Sequence, residues 1–373
     1  MEKFDAIIIG TGQAGPSLAA SLAKNGFKTA IIEKGHLGGT CVNVGCTPTK
    51  AYVASARRVF AAGNSEEHGV ILEGNLKIDL KRIKQRKDKL VQDSRSGLEK
   101  MFSDTENLTL IRGKATFLDQ HTVQVKNEKY TATKFFINVG GSPRIPEDFK
   151  AIDYLTNESI LELEEIPEHL VIIGGGYIGL EFGQMFRRFG SKVTILEKED
   201  QLLKKEDDDI AEEIAEILKD SGIDVRLNSD CISAEKSDAD ISVKYNCEGS
   251  IEKIKASHVL VATGRIPNTD DLGLDKAGVK LDKRGFIVVN NELQTSAAHI
   301  WALGDCNGEG AFTHTAYNDF QIVNSHLFEE RKRYLSDRFT CYAAFIDPPL
   351  ARVDLSENDL KKQGLKAKVA SGQ

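Results

Sequence analysis

The chain has 373 residues and carries 49 Lys and Arg against 56 Asp and Glu, a net charge of −7. The length allows two or three domains, and the acidic balance argues against nucleic acid as a main partner. No apolar run reaches membrane-spanning length, so no membrane partner is expected. Met1-Glu2-Lys3-Phe4-Asp5 leads straight into a strand with no room for a signal peptide, which points to a cytoplasmic protein.

Ala6-Ile7-Ile8-Ile9 is a continuous apolar run of the kind that forms a buried parallel strand. Gly10-Thr11-Gly12-Gln13-Ala14-Gly15 follows, then a helical pattern through Leu18 and Leu22, a capping Gly26, and a second strand, Thr29 to Glu33. In such a unit the first glycine makes the tight turn and the second lets backbone approach a pyrophosphate. The third packs helix on strand, and the acid at the end of the second strand accepts from a ribose.

Directly after this unit stand Cys41 and Cys46, five positions apart, able to close a small disulfide loop. Pro48 is suited to a first helical turn, so Cys46 is expected at or just before a helix N-terminus. The dipole there favours a thiolate, the form that thiol–disulfide exchange needs. Cys231, Cys247, Cys306 and Cys341 are scattered without ligand spacing and read as small buried hydrophobes in a reducing compartment. A structural zinc site would need two further ligands that the pattern lacks, so a redox disulfide is preferred to a metal site.

Asp79 to Met101 reads as a long amphipathic helix. Its basic run (Lys81, Arg82, Lys84, Arg86, Lys87, Lys89), on the same helix as Leu80, Ile83 and Leu90, is taken as a solvated face. Short strands follow at Ala115–Phe117, Thr122–Val125 and from Tyr130 to Gly141. The βαβ plan then recurs: Val171-Ile172-Ile173, Gly174-Gly175-Gly176-Tyr177-Ile178-Gly179, a helix to Phe189, and a strand ending in Glu197. Gly174 follows Gly10, and Glu197 follows Glu33, by the same 164 positions. One such fingerprint is a weak signal; two with matching acids predict two dinucleotides. His258 to Arg265, Phe286 to Val289 and Ile300 to Asp305 read as strands, and Thr315 to Phe328 as a helix. Cys341 to Phe345 reads as a strand, Ser356 to Gly364 as a short helix, and Lys366 to Val369 as the start of another strand. With so few residues after Arg338, the last segment reads as the opening of a domain cut short.

Gly39-Thr40-Cys41-x4-Cys46-x-Pro48-x-Lys50, the two glycine fingerprints, Ala262-Thr263-Gly264-Arg265 and Gly304-Asp305 occur in that order. The combination closely resembles the flavin-dependent pyridine nucleotide–disulfide oxidoreductases. The stretches Cys41 to Lys50 and Gly310 to Tyr317 look most like the mercuric-reductase-like branch. The resemblance implies an α/β fold of two Rossmann-like FAD- and NAD(P)-binding domains, one inserted in the other, plus the start of a truncated α+β dimerisation domain. The FAD-binding domain would comprise 1–147 and 271–337, the NAD(P)-binding domain 148–270, and the incomplete C-terminal domain 338–373.

The resemblance also implies roles. FAD would be held by Gly10, Gly12, Gly15, Glu33, Gly39, Thr40, Lys50, Ala115, Gly140, Asp305, Thr313 and Ala316, the last two at a helix N-terminus that favours reduced flavin. The nicotinamide cofactor would be held by Gly174, Gly176, Tyr177, Ile178, Gly179, Glu197 and Gly264. Glu197 favours NADH over NADPH, because a carboxylate repels a 2′-phosphate, although Lys198 beside it works against that preference. Cys46 would be the thiolate against the flavin and Cys41 the interchange thiol. Lys50 would pair with Glu181 near the flavin ring, and Tyr177 would cover the nicotinamide pocket. His314 is read as structural, and the other histidines receive no role.

The implied activity is that of an FAD- and NAD(P)H-dependent disulfide oxidoreductase. Electrons would run from NAD(P)H through FAD to the Cys41–Cys46 disulfide, then to a small-molecule or metal-ion acceptor such as Hg(II), or to a disulfide. The full-length enzyme is expected to be a homodimer. Two alternatives are a flavoprotein that reduces quinone, oxygen or a metal ion directly, and a non-catalytic nucleotide-binding sensor or subunit.

Overall fold

The computed structural model describes residues 1–237, 240–247 and 249–370. Its α-helices are α1 (Ala14–Lys24), α2 (Gly39–Asn43), α3 (Cys46–Gly63), α4 (Leu80–Asp104), α5 (Tyr177–Phe189), α6 (Asp208–Asp220), α7 (Thr313–Phe328) and α8 (Glu357–Lys362). No helix among the described residues is long and apolar enough to cross a membrane. The chain divides into two compact units: 1–49, 85–142 and 265–338 form the first, and 50–84, 143–264 and 339–373 the second.

The first unit is built on β1 (Glu2–Ile9), β2 (Thr29–Glu33), β3 (Leu108–Arg112), β4 (Ala115–Phe117), β5 (Thr122–Val125) and β6 (Glu128–Ile137), in the order β3-β2-β1-β6-β5-β4. The strand Ile300–Ala302 adds to β6 in parallel. β1 pairs in parallel with β2 and β6, while β4, β5 and β6 pair antiparallel. Alternation along β1 explains why its apolar run is unbroken. Ile7 and Ile9 enter one core with Phe135, Ile137 and Ile287, whereas Ala6 and Ile8 enter another with Leu18, Leu22, Phe136 and Trp301. Both faces are covered, so every position must be apolar.

The second unit repeats the logic. His169–Ile173 lies between Lys192–Leu196 and His258–Val261 in a five-stranded parallel sheet completed by Asp224–Arg226 and Tyr154–Leu155. Leu170 and Ile172 face α5 through Leu180, Phe182 and Phe186, and Val171 and Ile173 face the opposite core with Val259 and Val261. An antiparallel three-stranded sheet, Ser229–Ser237, Asp240–Cys247 and Ser250–Ala256, covers that face through Val243 and Tyr245. Residues 50–84 belong to this unit because Tyr52, Val53 and Ala56 bury their side chains with Phe182 and Phe189. An antiparallel pair, Cys341–Ala344 with Leu350–Val353, closes the described chain together with α8. The mixed α/β class with two Rossmann-like units is thus established.

Several local expectations need correction. Phe286 to Val289 is not a strand; Leu281 and Ile287 form only an isolated bridge, because Asp282 turns the chain back within five residues. Lys366 to Val369 forms no strand, and Val369 is exposed. The expected strand from His258 to Arg265 ends at Val261, and Arg265–Pro267 pairs separately with Gly141–Pro143. Beyond Ala302, the segment to Asn307 becomes a 3-10 turn. In the basic run of α4, Lys87 is buried beside Asp88 rather than solvated, and Leu90 is exposed. Cys306 is fully buried as expected, Cys341 is only half-buried, and the side chains of Cys231 and Cys247 lie outside the described residues.

Candidate active site

In the first unit the loop between β1 and α1 is fixed by close approach. Gly10 adopts φ +102°, and a Cβ there would collide with the Asn138 carbonyl at the end of β6. Gly39, at φ +59°, lies so close that a Cβ would come within 2.8 Å of Gly12 Cα. Side chains brace the same loop. Thr11, fully buried, donates from its amide and hydroxyl to Glu33 Oε2 (2.9 and 2.6 Å), and its Oγ1 accepts from Gly38 N–H at 3.1 Å. Asn138 Nδ2 donates to Gly12 O at 2.9 Å. Glu33 Oε1 accepts from Gly35 N–H at 2.8 Å.

The loop before α5 follows the same backbone path with fewer ties. Gly174 adopts φ +109°, and its Cβ would lie 2.6 Å from the Ala262 carbonyl oxygen. Glu197 accepts from Gly175 N–H at 2.6 Å and from Glu199 N–H at 3.0 Å. Gly176 stands in open space, with no atom within 4 Å of a Cβ placed on it. Neither α1 nor α5 has a side chain capping its N-terminus, so first-turn N–H groups remain for an anion. Ile178 is half-buried in the first turn of α5, and Gly179 packs against Gly174 O.

Cys46 is the first residue of α3, and its Sγ lies 2.9 Å from Thr313 Oγ1 at the start of α7. Cys46 is exposed and Cys41 half-buried. The hydrogen bond from Cys41 to Cys46, together with burial, pushes the Cys41 thiol well above its ordinary value. The structure begins α7 at Thr313, two residues before the expected Thr315, which brings its N-terminus to the sulfur pair.

Gly304 to Asn307 presents Asp305, and buried Asp319 anchors that turn by accepting from Gly304 N–H (2.7 Å) and Asn307 Nδ2 (3.0 Å). Arg338 pairs with Asp319. Burial raises the Asp305 carboxyl above the usual range, and Arg265, with Nε at 3.5 Å, opposes that shift. Arg265 Nε is buried without a hydrogen-bond partner among the described residues, and its Nη2 reaches Gly141 O and, at 3.4 Å, Thr40 Oγ1. An orphaned guanidinium donor between Asp305 and Thr40 is what a missing polar cofactor group leaves. Gly140 takes φ +65°, Ala316 is buried in the first turn of α7, and Ala115 is buried in β4. The residues proposed for FAD and the nicotinamide therefore fit such groups.

In the second unit Lys50 Nζ pairs with Glu181 Oε2, and Phe345 N–H donates to Glu181 Oε1 at 2.9 Å. The Phe345 ring lies 4.3 Å from Lys50 Nζ. Glu181 is buried, so it is held in place rather than displayed on a surface helix. Tyr177 packs against Tyr342, with ring centroids 5.4 Å apart. Gly264 adopts φ +119° just beyond the sheet. His314 is exposed and stacks on Phe312. Sequence reasoning assigned no role to Thr11, Asn138, Arg265 or Tyr342. Thr11 and Arg265 lie within recognised motifs; Asn138 and Tyr342 carried no local signal.

Comparison with known proteins converges on one family. A family model described as pyridine nucleotide-disulphide oxidoreductase matches residues 4–319. The chain is 36% identical to a mercuric reductase of Staphylococcus aureus over 369 residues, covering 98% of this chain and 67% of the relative. It is 37% identical to the probable pyridine nucleotide-disulfide oxidoreductase RclA of Escherichia coli (strain K12) over 383 residues, 100% of this chain and 81% of that one. Among solved structures, the Cu(II) complex of the HOCl-induced flavoprotein disulfide reductase RclA from Escherichia coli superposes with a TM-score of 0.87 at 36% identity. That match covers 98% of this chain and 80% of the other.

Proposed function

The chain belongs to the pyridine nucleotide-disulphide oxidoreductase family, and from that premise we propose that it passes electrons from NADH through FAD to the Cys41–Cys46 pair and on to a thiol-reactive acceptor. That acceptor is a thiophilic metal ion such as Hg(II) or Cu(II), or a disulfide. The observation that carries this reading is the sulfur pair itself: Cys46 exposed at the first position of α3, with Thr313 Oγ1 against its sulfur, and Cys41 five residues before it.

Gly10, Gly12, Gly15, Glu33, Thr40, Asp305 and Arg265 would hold FAD, and Gly174, Gly176, Gly179 and Glu197 would hold the nicotinamide dinucleotide. When bound, these cofactors would supply the hydride and electron transfer that links the nucleotide to the sulfur pair. Two electrons delivered to the oxidised pair break the Cys41–Cys46 bond, leaving one sulfur as thiolate and the other protonated. The position of Cys46 at a helix N-terminus favours it as the thiolate, with Cys41 keeping the proton. Cys41 then attacks a disulfide acceptor, passing its proton to the thiol that is expelled. Cys46 resolves the mixed disulfide, releases the second, and restores the starting bond. A thiophilic cation would be captured by the same two sulfurs; the Cu(II) complex of the Escherichia coli relative supports including such ions.

Preference for NADH is supported by Glu197 and its surroundings. Glu199 engages Lys198 at 3.3 Å and Lys204 at 2.7 Å, drawing off the cations that a 2′-phosphate would need. Tyr177 would cover the nicotinamide pocket, and Lys50, fixed by Glu181, would lie near the flavin. A homodimer, the state typical of the family, is the proposed assembly.

An anaerobic NADH titration of the FAD-loaded protein tests the reading. Flavin bleaching followed by a long-wavelength thiolate-to-flavin band is the expected result, and Cys41→Ser should abolish disulfide reduction. Bound flavin that NADH leaves oxidised overturns the proposal. Acceptor reduction that survives Cys41→Ser assigns the activity to direct flavin chemistry instead.

A further inference from the structure

Tyr342 is not part of any fingerprint, yet it is the aromatic neighbour of the residue proposed to cover the nicotinamide pocket. Its ring centroid lies 5.4 Å from that of Tyr177 at an interplanar angle of 60°, a tilted contact of the favourable kind. The ring is held from its far end. Tyr342 Oη donates to Glu206 and accepts from Arg352 Nη1 at 3.1 Å, and Arg352 pairs with Asp359. Asp207, next to Glu206, accepts from Glu357 N–H (2.8 Å) and Asn358 N–H (2.9 Å) at the start of α8. The strand Cys341–Ala344 is thereby tied to the segment that leads into α6, and the Tyr342 ring has a fixed position.

We propose that Tyr342 is a positioning residue for nicotinamide binding, a fixed aromatic rest that holds Tyr177 over the pocket. The inference rests on the proposed covering role of Tyr177. A nicotinamide ring entering beneath that cover displaces the Tyr177 phenol and breaks its contact with Tyr342. Binding is therefore weaker than it would be without the rest, while electron transfer after binding is unaffected. Tyr342 sets the ease of entry and takes no part in the chemistry.

Calorimetric titration of NAD+ into the FAD-loaded protein reads the effect without turnover. Tyr342→Ala should tighten NAD+ binding by about two- to tenfold, the range expected from one lost aromatic contact. Tyr342→Phe keeps the ring but loses the Oη bonds that fix it, and should fall between the wild type and Tyr342→Ala. In a Tyr177→Ala background, Tyr342→Ala should have no further effect, because the two rings act as a pair. The limiting rate of flavin reduction at saturating NADH should stay unchanged in Tyr342→Ala. If that variant unfolds, Tyr342→Leu, which removes the ring but keeps an apolar side chain, carries the same expectation. Unchanged binding in Tyr342→Ala, or an equal shift in the Tyr177→Ala background, would each overturn the role. A wild type that binds no NAD+ would instead overturn the nucleotide reading on which it stands.

Discussion

The two glycine-rich loops share a spacing, a backbone path and a terminal acid, but they are held in place by different means. In the first, Thr11 spans Glu33 and the Gly38 amide, and the Asn138 amide clasps Gly12 O. In the second, the residue matching Asn138 at the end of the neighbouring strand is Ala262, which offers only backbone, and Gly176 faces open space. The fingerprint therefore dictates the turn, the helix N-terminus and the acid, while residues outside it set how rigid the turn is. A loop ordered by its own side chains loses little freedom when its ligand binds. That suits a resident cofactor, FAD in the proposed assignment. A loop with an open glycine suits a ligand that enters and leaves each cycle.

The strongest way to break the comparison is to strike the glycine that both loops need. Gly10→Ala places a Cβ into the Asn138 carbonyl at φ +102°, and Gly174→Ala places one against Ala262 O at φ +109°. Each should cost about 2–5 kcal/mol of stability in its own unit, measured by thermal unfolding. Gly10→Ala should also purify without visible flavin absorbance, whereas Gly174→Ala should retain it and lose NAD+ binding. A Gly174→Ala protein that loses flavin would contradict the assignment of the two loops.

A smaller perturbation tests the bracing itself. Asn138→Ala removes a buried donor from Gly12 O and leaves that carbonyl only the Gly15 N–H, at 2.8 Å. A loss of about 1–3 kcal/mol is expected, with weaker FAD retention on dilution and unchanged NAD+ affinity by calorimetry. Equal weakening of both nucleotides would mean that the clasp supports the whole fold rather than its own loop. At the second acid, Glu197→Ala should raise the use of NADPH relative to NADH by roughly tenfold, about 1.4 kcal/mol. The measurement is the ratio of kcat/KM for the two cofactors. An unchanged ratio would show that Glu197 braces the Gly175 amide without choosing the nucleotide.

How much of this was legible in the sequence follows from how local each signal is. Gly10 and Gly174 declared themselves because a turn at positive φ against a strand carbonyl leaves few alternatives to glycine. Pro48 two residues after Cys46 marked the helix that the structure begins at that cysteine. The Lys50–Glu181 pair joins residues 131 positions apart, and only the family resemblance suggested it. Asn138 and Tyr342 read only as members of strands, because their partners Gly12 and Tyr177 are distant in sequence. Lys87 was misread for the same reason. A basic run on a helix gives no hint that one of its members turns toward protein. Patterns of period two or 3.6 report which face is buried, not which polar atom meets which.

Gly176 offers the finest test, because the expected effect on the fold is near zero. It is the N-cap residue of α5 at an ordinary φ of −85°, with nothing within 4 Å of an added Cβ. Alanine is a poorer N-cap than glycine by some tenths of a kcal/mol, but it also restricts the unfolded chain by a similar amount. The two terms oppose, so Gly176→Ala should leave stability within about 0.5 kcal/mol of wild type and FAD content untouched. If the open space is where a pyrophosphate approaches the backbone, the added methyl group should nonetheless weaken NAD+ binding measurably by calorimetry. The corresponding change in the first loop, Gly12→Ala, differs in kind: its Cβ would meet the Asn138 side chain at 3.2 Å before any ligand arrives. A Gly176→Ala protein with unaltered NAD+ affinity would mean that the second loop is open because nothing binds closely there, and the contrast between the loops would lose its functional sense.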